Sequence, residues 1–138
     1  MRATIWAMGM IAFGLTAGLT ACTTPAEDGR ADFRAFCASC HGDDGRGHGG
    51  AEPELDAAPA DLTLIAARNG GSFPRRATMA KIYGDGDTNP HGAVMPQFGP
   101  LMDGALIPYD SGDGIKTPTP VRLVAIAEYL EQIQRPAR

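Results

Sequence analysis

The stretch Phe36–Gly50 reads FCASCHGDDGRGHGG, and its opening residues decide the fold. Cys37, Cys40 and His41 stand at positions i, i+3 and i+4. On one turn of helix, those positions project to the same side. Three chemistries use two sulfurs and an imidazole this close together: a redox dithiol, a zinc site and a covalent haem. A haem has two vinyl groups along one edge and an iron at its centre. Two thiols at this spacing can form thioethers to both vinyls while the adjacent imidazole reaches the iron, which is the mechanical sense of C-x-x-C-H. A thioredoxin-like dithiol instead follows a strand in a mixed fold, and no segment here alternates cleanly enough to read as a strand. Zinc needs four ligands, and His48 or His91 would have to join without a second ligand pair at finger spacing. A plain disulfide has no use for His41. The motif favours the haem.

Working outward, the periodicity predicts short helices joined by turns. Eighteen glycines and eleven prolines punctuate 138 residues. A first helix is expected from near Asp28 through GRADFRAFCAS, with Phe33, Phe36 and Cys37 on one face. A second covers ADLTLIAARN, Ala60 to Asn69, with Asp61 near its start and Asn69-Gly70 as a left-handed stop. A third begins after Ser72, takes Pro74 in its first turn and runs through RRATMAKIY to Gly84. The last has Thr119 as its cap and Pro120 as its first residue, then VRLVAIAEYLEQIQ. Leu123, Ile126, Leu130 and Ile133 form its apolar stripe. The expected fold class is all-α: about four short helices and long loops wrapped around one covalent haem.

Upstream, residues 1–21 carry Arg2, an apolar run and small residues, the pattern of an export signal. The run ends in LTAC, Leu19 to Cys22, which resembles the lipobox of bacterial lipoproteins. The resemblance implies that Cys22 is lipidated and becomes the N-terminus, and more than one acyl chain there gives stable anchoring. Residues 22–27 then read as a lipid-anchored tether and 28–138 as a single domain. An exported protein on the periplasmic side of a membrane is the expectation. The net charge of −4 disfavours nucleic acid as a partner and permits docking to a basic patch on another protein.

Taken together, CASCHGDDGRGHGG resembles the haem-binding segment of class I c-type cytochromes. Gly29 and Phe33 ahead of Cys37, and Tyr129-Leu130 in the last helix, are similar to that family's first and last helices. The resemblance implies that these helices cross, with the glycine permitting close approach to the aromatic. It also implies that a proline carbonyl accepts a hydrogen bond from the other ring nitrogen of His41. Pro53, before Glu54 and Leu55, is the first choice for that role, and Pro59 is its rival.

The second axial position has several candidates. Met79 fits a helix core, His48 lies too near His41 to cross the ring, His91 sits in the turn DTNPHG, and Met102 is core or loop. Met95 lies in AVMPQFG, far enough from His41 for the chain to wrap over the haem. Its Met-Pro dipeptide resembles the distal ligand loop of many bacterial class I cytochromes. Proline stiffens the loop, and a thioether ligand favours reduced iron. Met95 is therefore the expected distal ligand, and His41 the proximal one. Arg68, Arg75, Arg76 and Lys81 are candidate partners for the haem propionates. YDSGDGIK, Tyr109 to Lys116, falls short of a calcium loop and reads as a turn-rich surface loop.

With both axial sites filled, electron transfer is favoured over catalysis. The expected function is to carry one electron on a single haem c between exported redox proteins, and the chain is not itself an enzyme. Two alternatives remain: a haem sensor or binder of small ligands, and an electron-entry subunit of a dehydrogenase or oxidase complex.

Overall fold

A computed structural model describes residues 25–50, 58–84 and 95–136. Two helices frame it: α1, Pro25–Phe36, and α6, Val121–Gln132. They pack on each other because Gly29 lets the backbones meet. A Cβ at Gly29 would lie 2.0 Å from the Ala125 carbonyl oxygen and 3.0 Å from Tyr129 Cβ. One turn further along α1, Phe33 is wholly buried, and its ring centroid is 5.3 Å from that of Tyr129. The crossing that the resemblance implied is therefore present. Leu123, Val124, Ile126, Ala127 and Leu130 give α6 its buried face.

After Phe36 the helix breaks at Cys37 and resumes as α2, Ala38–His41. The start also differs from expectation, since α1 begins at Pro25, inside the stretch read as a tether. The second expected helix is split into a 3₁₀ turn, Leu62–Leu64, and α3, Ile65–Arg68. Asp61 caps it as its position suggested, accepting from Thr63 N at 2.9 Å. Helix α4, Arg75–Tyr83, packs on α6 through buried Met79 and Ile82 and stops at Gly84, whose φ is +86°. A short α5, Gly99–Met102, buries Leu101.

One expectation is overturned. No alternation in the sequence marks a strand between α5 and α6, yet the segment forms an antiparallel pair, β1, Leu106–Asp110, and β2, Lys116–Pro120. Ile107 and Tyr109 are the half-buried residues of β1, and both pack against the core. Prolines hid the pattern, because proline demotes a strand reading. Pro108 faces Pro118, and Leu106 faces Pro120. These pairs fall in one register class two residues apart, and it must be the class that exchanges no ladder hydrogen bonds. All three prolines thus cost the sheet no donor. At the tip, Asp110 Oδ1 accepts from Gly112 N at 2.8 Å and Gly114 N at 3.0 Å. The expected cap of α6 is corrected too. Thr119 lies in β2 and donates to the Thr117 carbonyl at 2.8 Å, and Pro120 occupies the cap position.

Among the described residues, no helix is long and apolar enough to cross a membrane.

Candidate functional site

The turn from Cys37 to His41 hangs from the end of α1. Cys37 N donates to Phe33 O at 2.8 Å, and His41 N donates to Cys37 O at 2.9 Å. Cys37 is buried in the core cluster, whereas Cys40 and His41 are half-buried. The two thiols are not bridged to each other. Burial, reinforced by the charge of Asp32 and by Cys40, pushes the Cys37 thiol up to about 11. A redox dithiol needs the reverse, a stabilised thiolate on an exposed nucleophile. Among the described residues, no three of His, Cys, Asp and Glu converge as a metal cage. Among the described residues, the surroundings of the cluster favour neither a redox dithiol nor a zinc centre.

The glycine-rich loop after His41 folds back over this turn. Gly47 N donates to His41 O at 2.8 Å, Gly49 N to Cys40 O at 3.0 Å, and Leu62 N to Gly45 O at 2.7 Å. Gly47 has φ +89°, and a Cβ there would lie 2.3 Å from Pro59 O, so no other residue fits. The loop is therefore clasped between the Cys-His turn and the segment ahead of the 3₁₀ turn. The clasp brings the Ala60 carbonyl to His41, with Nδ1 and the oxygen 3.0 Å apart. A proton on Nδ1 donating to that carbonyl fixes the tautomer and leaves Nε2 as the free lone pair. Pro53 lies outside the described residues, and the carbonyl that meets His41 belongs to the residue after Pro59.

Met95 is half-buried and packs against the cluster that contains Cys37. Phe98, from the same loop, meets Phe36 edge-on at 6.3 Å between centroids. The residue before the first thiol therefore touches the loop that carries Met95. Met79 is buried in the core, as its helical spacing suggested. Met102 is half-buried, and His48 is exposed. His91 and Cys22 lie outside the described residues. Two of the arginines offered for propionates are engaged within the protein. Arg68 Nη2 donates to Asp61 O at 2.5 Å, and Arg75 Nη2 lies 2.6 Å from Glu131 Oε2. Arg76 is exposed, 3.9 Å from an Asp113 oxygen.

Sequence reading missed two groups here. Ala60 acts through its backbone, so its side chain carries no signal beyond the adjacent proline. Arg122 and its partner Asp32 are separated by most of the chain. The residues present fit a covalent haem. The two thiols lie at one end of α1, the imidazole is oriented by a carbonyl, and a methionine loop packs nearby. Phe36, Leu62, Phe73, Met95, Phe98 and Met102 each pack on the core yet stay only partly covered, which suits a bulky apolar group.

A family model described as "Cytochrome C oxidase, cbb3-type, subunit III" matches residues 24–106. That stretch includes Cys37, Cys40, His41 and Met95 and ends at the first residue of β1. No curated protein and no solved structure matches the chain.

Proposed function

The chain belongs to the family of cytochrome c oxidase, cbb3-type, subunit III, a family of c-type cytochromes, and from that premise we propose the ligation and setting of its redox centre. The family binds haem c covalently and transfers electrons with it; the domain is an electron carrier. When bound, the haem supplies a one-electron iron couple.

Cys37 and Cys40 hold the haem by thioethers, His41 is the proximal ligand through Nε2, and Met95 is the distal ligand. The observation that carries this reading is the 3.0 Å contact between His41 Nδ1 and Ala60 O. It orients the ring and leaves Nε2 as the nitrogen that can act as a ligand. Met95 supports it by packing on the core cluster to which Cys37 belongs. His41 and Met95 would together hold the iron and leave no position open to a substrate, which suits electron transfer. Phe98 and the other half-buried apolar residues packed on the core would limit water around the group. Electrons pass to and from redox proteins, as a component of an oxidase complex. Cys22 anchors the protein by lipid on the periplasmic side of the membrane, a reading supported by the LTAC signature.

Two measurements on purified holoprotein test this. The mass of the matured chain should include one tetrapyrrole and acyl groups at Cys22. The oxidised protein should show a weak near-infrared sulfur-to-iron band that is lost in Met95→Ala and kept in Met102→Ala. Rapid carbon monoxide binding by the reduced protein at neutral pH would overturn the assignment of Met95.

A further inference from the structure

We propose that Arg122 is a positioning residue that ties the segment carrying the thiols to the loop carrying Met95, and so keeps the thioether on the iron. The inference rests on Met95 as the distal ligand. Arg122 lies in the first turn of α6, far in sequence from both segments, yet it contacts each. Its Nε donates to Asp32 Oδ2 at 3.0 Å, and its Nη2 donates to Asp32 Oδ1. This is the planar two-point pairing that guanidinium makes with a carboxylate. Asp32 is on α1, close enough to Cys37 for its charge to act on that thiol. The third donor, Nη1, reaches the Pro100 carbonyl at 2.7 Å. Pro100 is the second residue of α5, Gly99–Met102, which directly follows the segment 95–98. The guanidinium also lies over the Phe36 ring, with Cζ 5.4 Å from the centroid. Phe36 in turn meets Phe98 of the methionine loop.

One side chain thus holds a carboxylate and a ring on the thiol side, and a carbonyl on the methionine side. The Asp32 side chain is 14% exposed and that of Arg122 36%, so water weakens the pair without dissolving it. A lysine could not reproduce this, since a point charge cannot pair in plane with Asp32 and reach Pro100 together. Without the clamp, the contacts left to the loop among the described residues are the packing of Met95, Phe98 and Leu101 and the bond from Gln97 Nε2 to Gly84 O at 3.2 Å. Opening of the loop should then become more frequent.

The test uses oxidised holoprotein and imidazole, an outside ligand that enters only when the methionine leaves. Its apparent affinity scales with the open fraction. Arg122→Met keeps the stem on Phe36 and removes every hydrogen bond. It should raise imidazole affinity about tenfold, equivalent to about 1.4 kcal/mol. Arg122→Lys should fall between it and the wild type. Asp32→Asn should move in the same direction by a smaller factor, and it decides the matter if Arg122→Met does not accumulate as holoprotein. Arg75→Met removes an ion pair between α4 and α6 whose side chains are 40% and 33% exposed. It should lower thermal stability and leave imidazole affinity unchanged, which separates positioning from general loosening. Wild-type imidazole affinity in Arg122→Met, or in Asp32→Asn where that variant decides, overturns the clamp. An equal rise in Arg75→Met overturns it as well. In either case loss of the near-infrared band in Met95→Ala leaves the ligand assignment standing. Retention of that band in Met95→Ala removes the ligand assignment and the clamp together.

Discussion

Gly29 shows how one missing side chain sets the crossing of α1 and α6. Alanine is the better helix former by about 1 kcal/mol, so an exposed Gly→Ala change would stabilise α1. Here the added methyl would lie 2.0 Å from the Ala125 carbonyl oxygen, which is backbone and cannot swing away. Overpacking of this kind costs about 3 kcal/mol at the upper end of its usual range, and that outweighs the propensity gain. Gly29→Ala should therefore lower the melting temperature of the holoprotein, followed by circular dichroism. An unchanged or higher value would show that the helices part at no cost. The same glycine, with Phe33 and Tyr129, was legible in the sequence because helix periodicity and a family pattern both mark it. The acceptor for His41 was less legible. Its segment is specified by Gly47, whose close approach to Pro59 is a property of the folded loop rather than of local spacing.

At the scale of elements, the short helices depend on neighbours. Helix α3 spans Ile65–Arg68, far below the length at which a helix sustains itself in water. Gln134, just past α6, fastens it. Its Oε1 accepts from Ala66 N at 2.8 Å, and its Nε2 donates to Leu62 O at 2.9 Å and Leu130 O at 2.6 Å. Gln134→Ala leaves these part-buried groups without that partner and should cost about 2 kcal/mol. The check is the urea midpoint of the holoprotein, and an unshifted midpoint would refute the role. Asp61, at the start of the same segment, adds a pH dependence. Burial alone would raise its carboxyl, but hydrogen bonds from Thr63 and the charges of Arg135 and Arg68 outweigh that and hold it below its ordinary value. A depressed folded value means that the ionised form is favoured in the native state. The stabilisation is present above about pH 4 and is lost as pH falls through the folded value. Asp61→Asn should therefore flatten the acid limb of melting temperature against pH, and an acid limb identical to the wild type would exclude the effect. Helices α4 and α6 were readable from their apolar spacing and flanking prolines. The β1–β2 pair was not, because its prolines at 108, 118 and 120 look like breakers until the register places them together.

For the whole molecule, the question is what completes the core. Among the described residues, the largest fully buried side chains are Phe33, Leu101 and Ile126, a small set for the chain. Around them stand Phe36, Leu62, Phe73, Met95, Phe98 and Met102, packed on one side and only partly covered. Chains of this size bury a modest share of their surface, so an uncovered apolar shell weighs heavily on net stability. The local motif made the haem legible in the sequence. The set of residues that would receive it was not legible, since it gathers side chains from α1, the 3₁₀ turn, the segment before α4, the methionine loop and α5. A covalent group stays on the unfolded chain as well, so it stabilises the native state through the apolar contacts and iron ligation that it makes only there. The haem-free chain should therefore keep some helix by far-ultraviolet dichroism, lose its near-ultraviolet signal and unfold without a sharp transition. Holoprotein should unfold cooperatively under the same conditions. A haem-free chain with native near-ultraviolet dichroism and a cooperative melt would mean that α1, α4 and α6 close the core by themselves, and that the half-covered shell serves some other contact.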